Sequence, residues 1–229
     1  MKCFKYRKRC NSLLLLSLPK YTFSKTPSIY FEMKKSILFT IALFANTLIH
    51  SQVKLNEWND TYYNNYNSQN FKNLSIVNKE IDPNNIDYNL LNAAIFYRTN
   101  EERVALGRKE FIHSSKLEKA AFGHSKDMVD YDFYSHTSPL AGKSSMSDRI
   151  KSVGISYSSC AENIFDFFLQ NPSYWDLADG LVNGWMNSDG HKKNILNPAY
   201  NYLGCGAYHY INVEWQDYFW VKSTQNFSN

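Results

Sequence analysis

The feature that most constrains the fold is a series of seven apolar or amphipathic segments between residues 87 and 225. Four of them repeat apolar residues every three to four positions, as helices do, and three are short apolar runs typical of strands. They predict helices at 88–106, 115–128, 147–153 and 173–186 and strands at 160–168, 203–213 and 215–224. Helices in this order around a hairpin of strands predict an α+β domain with a small antiparallel sheet.

Capping residues mark the ends of the first two predicted helices. Asp87 is placed to cap the first helix, and Gly107 is placed to end it. Ser114 or Ser115 is placed to cap the second helix. The domain is therefore predicted to span residues 87–225.

Charge is divided unevenly along the chain. The whole sequence carries 25 Lys and Arg against 21 Asp and Glu, but residues 1–51 alone hold nine of the cations and one of the anions. The rest of the chain is therefore mildly acidic. Binding to the phosphates of nucleic acid requires clustered Lys and Arg, so we expect no nucleic-acid partner.

Residues 1–51 are interpreted as a targeting region. Met33-Lys34-Lys35 begins a short basic stretch, and a mostly apolar run from Ser36 to Ile49 leads to Ser51. This order is typical of a secretory signal peptide at 33–51 that is cleaved after Ser51. An uncleaved anchor is the alternative, although the apolar run is short for a membrane span. Residues 1–32 are interpreted as sequence upstream of the true start, with a double signal as the alternative.

The segment that follows, residues 52–86, is rich in Asn, Tyr and Ser and has no clear periodicity. It is interpreted as a variable extension that carries one short helix. We expect no transmembrane span in the mature chain.

Two cysteines, Cys160 and Cys205, remain after the predicted cleavage. Exported proteins form disulfides in oxidising compartments, so this pair is a disulfide candidate if the strands that carry it are neighbours. Two buried free thiols are the alternative, which the sequence leaves open.

Two histidines and a glutamate, His136, Glu162 and His191, lie beside turns or strand ends. His136 precedes Thr-Ser-Pro, a turn sequence, and His191 follows Ser-Asp-Gly, which interrupts the fourth helix. Glu162 lies in an otherwise apolar strand, where a carboxylate is costly unless it is paired, hydrogen-bonded or bound to a cation. The alternatives are ordinary surface histidines and a glutamate on the solvent side of an edge strand.

The stretches around these residues carry a family resemblance. They are Tyr134-Ser135-His136-Thr137-Ser138-Pro139, Ala161-Glu162-Asn163-Ile164, the run WMNSDGHKKNILNP at 185–198, and Leu203-Gly204-Cys205-Gly206. With them, residues 88–224 resemble the CAP superfamily of cysteine-rich secretory proteins, antigen 5 and pathogenesis-related 1 proteins, and in particular its bacterial secreted branch.

The resemblance implies an α-β-α sandwich, a secreted or cell-envelope location, and a central cleft lined by two histidines and two acidic residues, which binds zinc in some members. The fourth of these positions is occupied by Ser188, with Asp189 adjacent but out of register. Two imidazoles and a carboxylate are a common Zn²⁺ set, so His136, Glu162 and His191 are the predicted metal ligands. The predicted cleft residues are His136, Glu162, Asn163, Ser188 and His191.

Three functions are compatible with this site. The first is a secreted binding module whose cleft holds a divalent metal or a small-molecule, lipid or peptide ligand. The second is a metal-dependent hydrolase of an extracellular peptide or polymer, for which the sequence offers neither a nucleophile–base pair nor an H-E-x-x-H helix. The third is an extracellular scaffold with a vestigial cleft. The incomplete acidic set favours binding.

Overall fold

The computed structural model describes residues 60–229. The predicted targeting region at 1–51, its cleavage after Ser51 and the first residues of the extension lie outside the described residues. Within residues 60–229, no helix is both long and apolar enough to cross a membrane.

Six α-helices and four β-strands make up the described part of the chain, together with a 3-10 turn at Phe71–Asn73. They are α1 (Thr61–Asn64), α2 (Tyr88–Ala105), β1 (Ile112–His113), α3 (Ser115–Asp130), α4 (Met146–Ser152), β2 (Cys160–Leu169), α5 (Tyr174–Met186), α6 (Asp189–Ile195), β3 (Tyr202–Tyr210) and β4 (Phe219–Ser228). The four predicted helices and three predicted strands are all present, with ends shifted by a few residues.

Side-chain caps explain where the helices begin. The Asp87 carboxylate accepts a hydrogen bond from the Leu90 amide, and the Ser114 hydroxyl accepts one from the Leu117 amide. Helices α4 and α5 each begin with a capping box, in which the N-cap serine is paired with an aspartate three residues later. After α2, the chain turns at Gly107, whose φ of +71° is costly for other residues.

The sheet has the strand order β1-β3-β4-β2. β4 is antiparallel to both β2 and β3, whereas β1 runs parallel to β3. The sheet is therefore mixed, which corrects the expectation of a purely antiparallel sheet. β1 was not predicted, because a strand of two residues is too short to show an alternating pattern.

Helices cover both faces of the sheet, as the predicted α-β-α sandwich requires. The main hydrophobic core lies between the sheet and the pair α2 and α5, and includes Leu90, Leu91, Leu177, Leu181 and Trp185. Alternate residues of β3, namely Leu203, Cys205 and Ala207, point into this core. Helix α3 packs against the opposite face.

Helix α3 approaches β3 closely because two glycines lie between them. A Cβ atom added at Gly204 would lie 2.0 Å from the Glu118 nitrogen, and one added at Gly206 would lie 2.2 Å from the Phe122 nitrogen. Both contacts are with helix backbone, which cannot rotate away. Because Glu162 shares a sheet face with these glycines through the register of β2, β4 and β3, α3 also lies against Glu162.

The described part of the extension completes the core between α2 and α5. Phe71, Val77 and Ile81 are buried members of that core. The backbone is held in place by hydrogen bonds from the Ile81 amide to the Pro172 carbonyl and from the Trp175 amide to the Val77 carbonyl, both 2.9 Å long.

The predicted disulfide between Cys160 and Cys205 is not formed in this structure, and both thiols are free. The alternative of two buried free thiols holds for Cys205, whereas Cys160 is only partly buried. Cys160 lies on β2 and Cys205 on β3, and β4 lies between these strands. Cys160 lies opposite Ser228 of β4 and Cys205 opposite Gln225. The cysteines are therefore two strand spacings apart, about 10 Å, and also three residues apart along the strands, which is beyond the Cα–Cα limit of about 7 Å for a disulfide.

Candidate functional site

The buried carboxylate of Glu162 is the centre of the candidate site. Its side chain is 2% exposed, and Arg149 of α4, 3% exposed, is its cationic partner. The Nη2 atom of Arg149 donates to both oxygens of Glu162 at 2.9 and 2.8 Å. Arg149 also donates to the carbonyls of His136 and Lys143, each at 3.0 Å. The arginine therefore fixes both the carboxylate and the loop that carries His136.

His136 is the exposed member of the site. Its side chain is 55% exposed, and its Nδ1 donates to Oε1 of Glu162 at 2.9 Å. A histidine that donates through one ring nitrogen to a carboxylate has its ring orientation and tautomer set by that bond. The Nε2 atom of His136 is thereby left to meet a ligand.

Electrostatics keep Glu162 ionised in spite of its burial. Burial raises the pKa of a carboxyl group, but the hydrogen bond from His136 and the positive charge of Arg149 outweigh it and lower the pKa of Glu162 below its usual value. Asn226 of β4 adds a donor when its amide nitrogen faces the carboxylate, 3.2 Å from Oε2.

His124 of α3 lies behind this pair and is fully buried. Its Nε2 donates to the Ser135 carbonyl at 3.1 Å and lies 3.9 Å from Oε1 of Glu162. Burial lowers the pKa of His124 to about 4, so this imidazole is neutral at pH 7. Its Nδ1 has no hydrogen-bond partner among the described residues.

His191 reaches the site from α6. Asn163, the residue after Glu162 on β2, donates to the His191 carbonyl at 3.2 Å and accepts from the Asn194 amide at 2.8 Å. Asn163 therefore anchors α6 to the edge strand. Burial and the nearby charge of His136 lower the pKa of His191. A positive charge on His136 therefore disfavours one on His191.

Ser188 and Asn163 have structural positions in this arrangement. Ser188 precedes α6 at its N-cap position, and its hydroxyl makes no capping hydrogen bond. Asn163 is fully buried and also donates to Gln225 at 3.0 Å. The side-chain amide of Asn163 is therefore engaged in hydrogen bonds within the protein. Ser188 does not supply the carboxylate that family members have at this position of the cleft.

The predicted zinc set of His136, Glu162 and His191 is not assembled in this structure. Within residues 60–229, no group of three or more His, Cys, Asp and Glu side chains is arranged to hold a metal ion. Arg149 donates to both oxygens of Glu162 instead. Glu162 therefore fits the role of an orienting partner for His136 rather than that of a metal ligand.

The sequence did not point to Arg149. A buried Glu requires a cationic partner, but the choice among the many Lys and Arg residues depends on how α4 packs against β2. The helix predicted at 147–153 already contained Arg149, and the Ser-x-x-Asp capping box at 145–148 marks its start, but neither feature identifies the partner of Arg149.

Comparison with known proteins identifies the family. A sequence model described as the Cysteine-rich secretory protein family, CAP, matches residues 96–222, more than half of the chain. The chain belongs to the CAP family. The protein YkwD of Bacillus subtilis (strain 168) is 40% identical to this CAP-domain chain over 108 residues, and the membrane protein YlbC of the same organism is 34% identical over 109 residues.

These matches cover only part of each relative. They span 47% and 48% of this chain but 38% of YkwD and 29% of YlbC. Among solved structures, an extracellular protein containing an SCP domain from Bacillus anthracis str. Ames is 30% identical, with a TM-score of 0.51. That match covers 65% of this chain and 44% of the other. The matches establish a bacterial CAP-domain protein with the α+β fold of that family.

Proposed function

We propose that this chain is an exported CAP-domain binding protein, whose cleft at His136 and His191 takes a divalent metal or a small ligand outside the cytoplasm. The observation that carries the proposal is an exposed imidazole, His136, held by a buried carboxylate that is itself fixed by Arg149. Such an orientation lowers the conformational cost of binding, because the side chain is already in place. The extracellular SCP-domain relative supports the location.

The metal part of the proposal rests on the two imidazoles. The Nε2 atom of His136 and the ring of His191 are the nitrogen donors that could hold a divalent cation, with Glu162 fixing His136 from behind. Catalytic zinc sites have three protein ligands as a rule. Two imidazoles therefore fit reversible binding better than hydrolysis.

The hydrolase alternative lacks a supporting observation in the described residues. Ser138, two residues after His136, is buried, and its Oγ accepts from the Leu140 amide at 3.2 Å. It has no histidine partner among the described hydrogen bonds, which a serine nucleophile requires. Turnover of a peptide or polymer that disappears in Glu162→Ala would favour the hydrolase instead.

The test is a zinc titration by calorimetry at pH 7 with the purified protein. We expect saturable binding that is lost in His136→Ala and in His191→Ala and kept in His209→Gln. His209 is a suitable control because it lies on β3 and bonds to the Trp220 carbonyl, away from the cleft. Equal heats in all four proteins would show that the two imidazoles hold no metal.

The ligand part is tested separately by backbone amide NMR during titration with small-molecule, lipid and peptide libraries. We expect shifts around residues 136, 162 and 191 for at least one class of ligand, with His136→Ala weakening the response. A library that moves no resonance in this region, together with a failed zinc titration, would support the scaffold interpretation.

A further inference from the structure

β2 forms a free edge of the sheet. It spans ten residues, Cys160–Leu169, and pairs with β4 on one side only. The edge of a strand presents main-chain N–H and C=O groups with which another extended chain can pair. Phe168, near the end of β2, lies six residues beyond Glu162, which is about 20 Å along the strand. This end of β2 is therefore separate from the cleft at His136 and His191.

The register of the sheet shows which residues of β2 face the free edge. Ala207 of β3 donates its amide to the Asn92 side chain at 3.1 Å, so it is not bonded to Ser223, the residue opposite it on β4. The direction of the main-chain groups alternates along an antiparallel strand. Ser223 therefore bonds to Phe165, its partner on β2, and the residues on either side of Phe165 face outward.

By the same alternation, Asp166 and Phe168 direct their main-chain groups toward the free edge. The backbone of Asp166 is hydrogen-bonded to the Tyr134 hydroxyl. Within residues 60–229, no hydrogen bond reaches the outward amide and carbonyl of Phe168, a residue that is 43% exposed. A neighbouring strand would satisfy both of these groups at once.

Aromatic rings surround this end of β2. The ring centroid of Phe168 lies 4.2 Å from that of Trp220 and 5.2 Å from that of Tyr218. Trp215, which is 57% exposed, extends the cluster at 6.3 Å from Tyr218. Contiguous exposed apolar surface marks interaction sites, and an aromatic side chain pairs well with an apolar one directly opposite it on the next strand.

The segments that meet at this end carry only negative charge. Residues 131–135, 165–170 and 210–221 contain no Lys, Arg or His. Their four carboxylates belong to Asp132, Asp166, Glu214 and Asp217. Lys222, the next residue of β4, is buried and donates to two backbone carbonyls. The surface therefore attracts cations and repels the phosphates of nucleic acids and anionic lipids.

We propose that the free edge of β2 at Asp166–Leu169 binds an extended peptide that has apolar side chains at alternate positions and Lys or Arg at its ends. The peptide adds a fifth strand to the sheet, with its backbone bonded to Phe168 and its apolar side chains against the aromatic rings. The cations of the peptide complement the carboxylates. This surface is distinct from the proposed metal cleft, so neither proposal depends on the other.

The probes are three acetylated and amidated heptapeptides, KTVTVTK, KTITITK and KTYTYTK. Each is titrated into the purified protein, and binding is followed by backbone amide NMR. We expect saturable shifts at residues 166–169 with at least one peptide. Exchange of both lysines of that peptide for glutamate should weaken binding about tenfold or more, because the carboxylates at the edge then repel it.

N-methylation of the binding peptide tests the main-chain pairing. Alternate N–H groups of an added strand face β2, so methyl groups on one alternate set should abolish binding, and methyl groups on the other set should leave it unchanged. The sensitive set is the apolar residues for an antiparallel strand, because the residue opposite Phe168 exchanges both hydrogen bonds with it. For a parallel strand the sensitive set is the threonines.

Two variants of Phe168 separate the contribution of its backbone from that of its ring. Phe168→Pro removes the outward N–H and leaves the pairing with β4, since proline is tolerated where the N–H of an edge strand faces solvent. Phe168→Ala keeps the N–H and removes the ring. We expect peptide binding to be abolished in the first variant and weakened about tenfold in the second.

The matched control is Ile112→Ala, which changes an exposed apolar residue on β1, the opposite edge strand of the sheet. This variant should bind the peptide as the parent protein does. Thermal unfolding of each variant checks that it is folded. If Phe168→Pro does not fold, Phe168→Ala and the N-methylated peptides decide the question.

Three results would overturn the proposal. The first is that none of the three peptides binds saturably. The second is an equal effect of the two N-methylated sets, which would show adsorption through side chains without strand pairing. The third is a dimer in analytical ultracentrifugation that dissociates in Phe168→Pro, which would assign the edge to a second copy of this chain.

Discussion

At the scale of single residues, the site depends on a chain of contacts in which each group fixes the next. Arg149 holds Glu162, and Glu162 orients His136, the one exposed imidazole of the three. The sequence predicted His136 and Glu162 because a histidine before a turn and a carboxylate in an apolar strand are unusual in themselves. Arg149 and His124 have no such local signature, since their roles depend on burial against residues that are distant in sequence.

Replacing Arg149 with Met should destabilise the protein severely. The change leaves the Glu162 carboxylate buried without a cation, and breaking a buried pair from one side costs about 3–5 kcal/mol. Lys151→Met, on the same helix but exposed, is the matched control and should change the free energy of unfolding by less than about 0.5 kcal/mol. Urea unfolding at pH 7 measures both. Equal changes in the free energy of unfolding for Arg149→Met and Lys151→Met would show that the Arg149–Glu162 pair contributes little to stability.

His124 should make stability depend on pH in the weakly acidic range. Its pKa is about 4 in the folded protein and near 6.5 when unfolded, so the unfolded state takes up the proton first and stability falls as the pH drops from 6.5 to 4. The expected loss from this residue between pH 7 and pH 5 is about 2 kcal/mol. Glu162 contributes only at lower pH, because its pKa lies below the usual carboxyl value.

The measurement is urea unfolding at pH 7 and pH 5. His124→Gln keeps an amide to donate to the Ser135 carbonyl but cannot be protonated, so most of the pH dependence should disappear. Some should remain, because burial also lowers the pKa values of His191 and His209. A variant with the same pH dependence as the parent would contradict this assignment.

At the scale of secondary-structure elements, glycines determine how closely the layers approach. Gly204 and Gly206 let α3 lie directly against β3, and Gly180 and Gly184 of α5 lie under the rings of Phe167 and Phe165. The sequence shows these glycines, but a glycine in a strand or helix pattern first suggests a bulge or a weak element. Their role in close packing can be recognised only when the position of the facing helix or strand is known.

Gly206→Ala should be among the most destabilising single-methyl changes in the domain. The new Cβ atom would lie 2.2 Å from the Phe122 nitrogen and 2.4 Å from its Cα, so α3 must move away from the sheet. Overpacking of this kind costs about 3 kcal/mol or more when backbone is the obstacle. Gly190→Ala, in α6 with no atom near the new methyl, should leave the melting temperature unchanged or raise it. Equal melting temperatures for the Gly206→Ala and Gly190→Ala variants would mean that α3 can move away from the sheet at little cost.

At the scale of the whole molecule, the segment before α2 belongs to the folded domain. Phe71 is fully buried and stacks on Tyr97 of α2 with ring centroids 4.4 Å apart. The Tyr97 hydroxyl donates to the carbonyls of Tyr62 and Tyr66 at 2.9 and 3.1 Å. The lack of periodicity in this segment is explained by its irregular backbone, which is anchored through separate side chains.

Phe71→Ala tests how strongly this segment supports the fold. The change removes a fully buried ring from the core, at an expected cost of about 3–5 kcal/mol. Ile76→Ala, five residues later and exposed, should cost less than about 0.5 kcal/mol. Thermal and urea unfolding compare the two. A Phe71 variant as stable as the Ile76 variant would show that the segment is dispensable to the domain.

The sequence by itself determined the order of the main elements, most of their caps and the family. It also identified two residues of the site, the exposed His136 and the buried Glu162. These features are local, because helix periodicity, strand patterns and capping residues depend on neighbours within a few positions. Tertiary structure alone decided that β4 separates the two cysteines, that β1 runs parallel to β3, and that Arg149 pairs with the buried Glu162. The physical reason is that strand order and the pairing of a buried charge depend on contacts between distant segments, which no local pattern encodes.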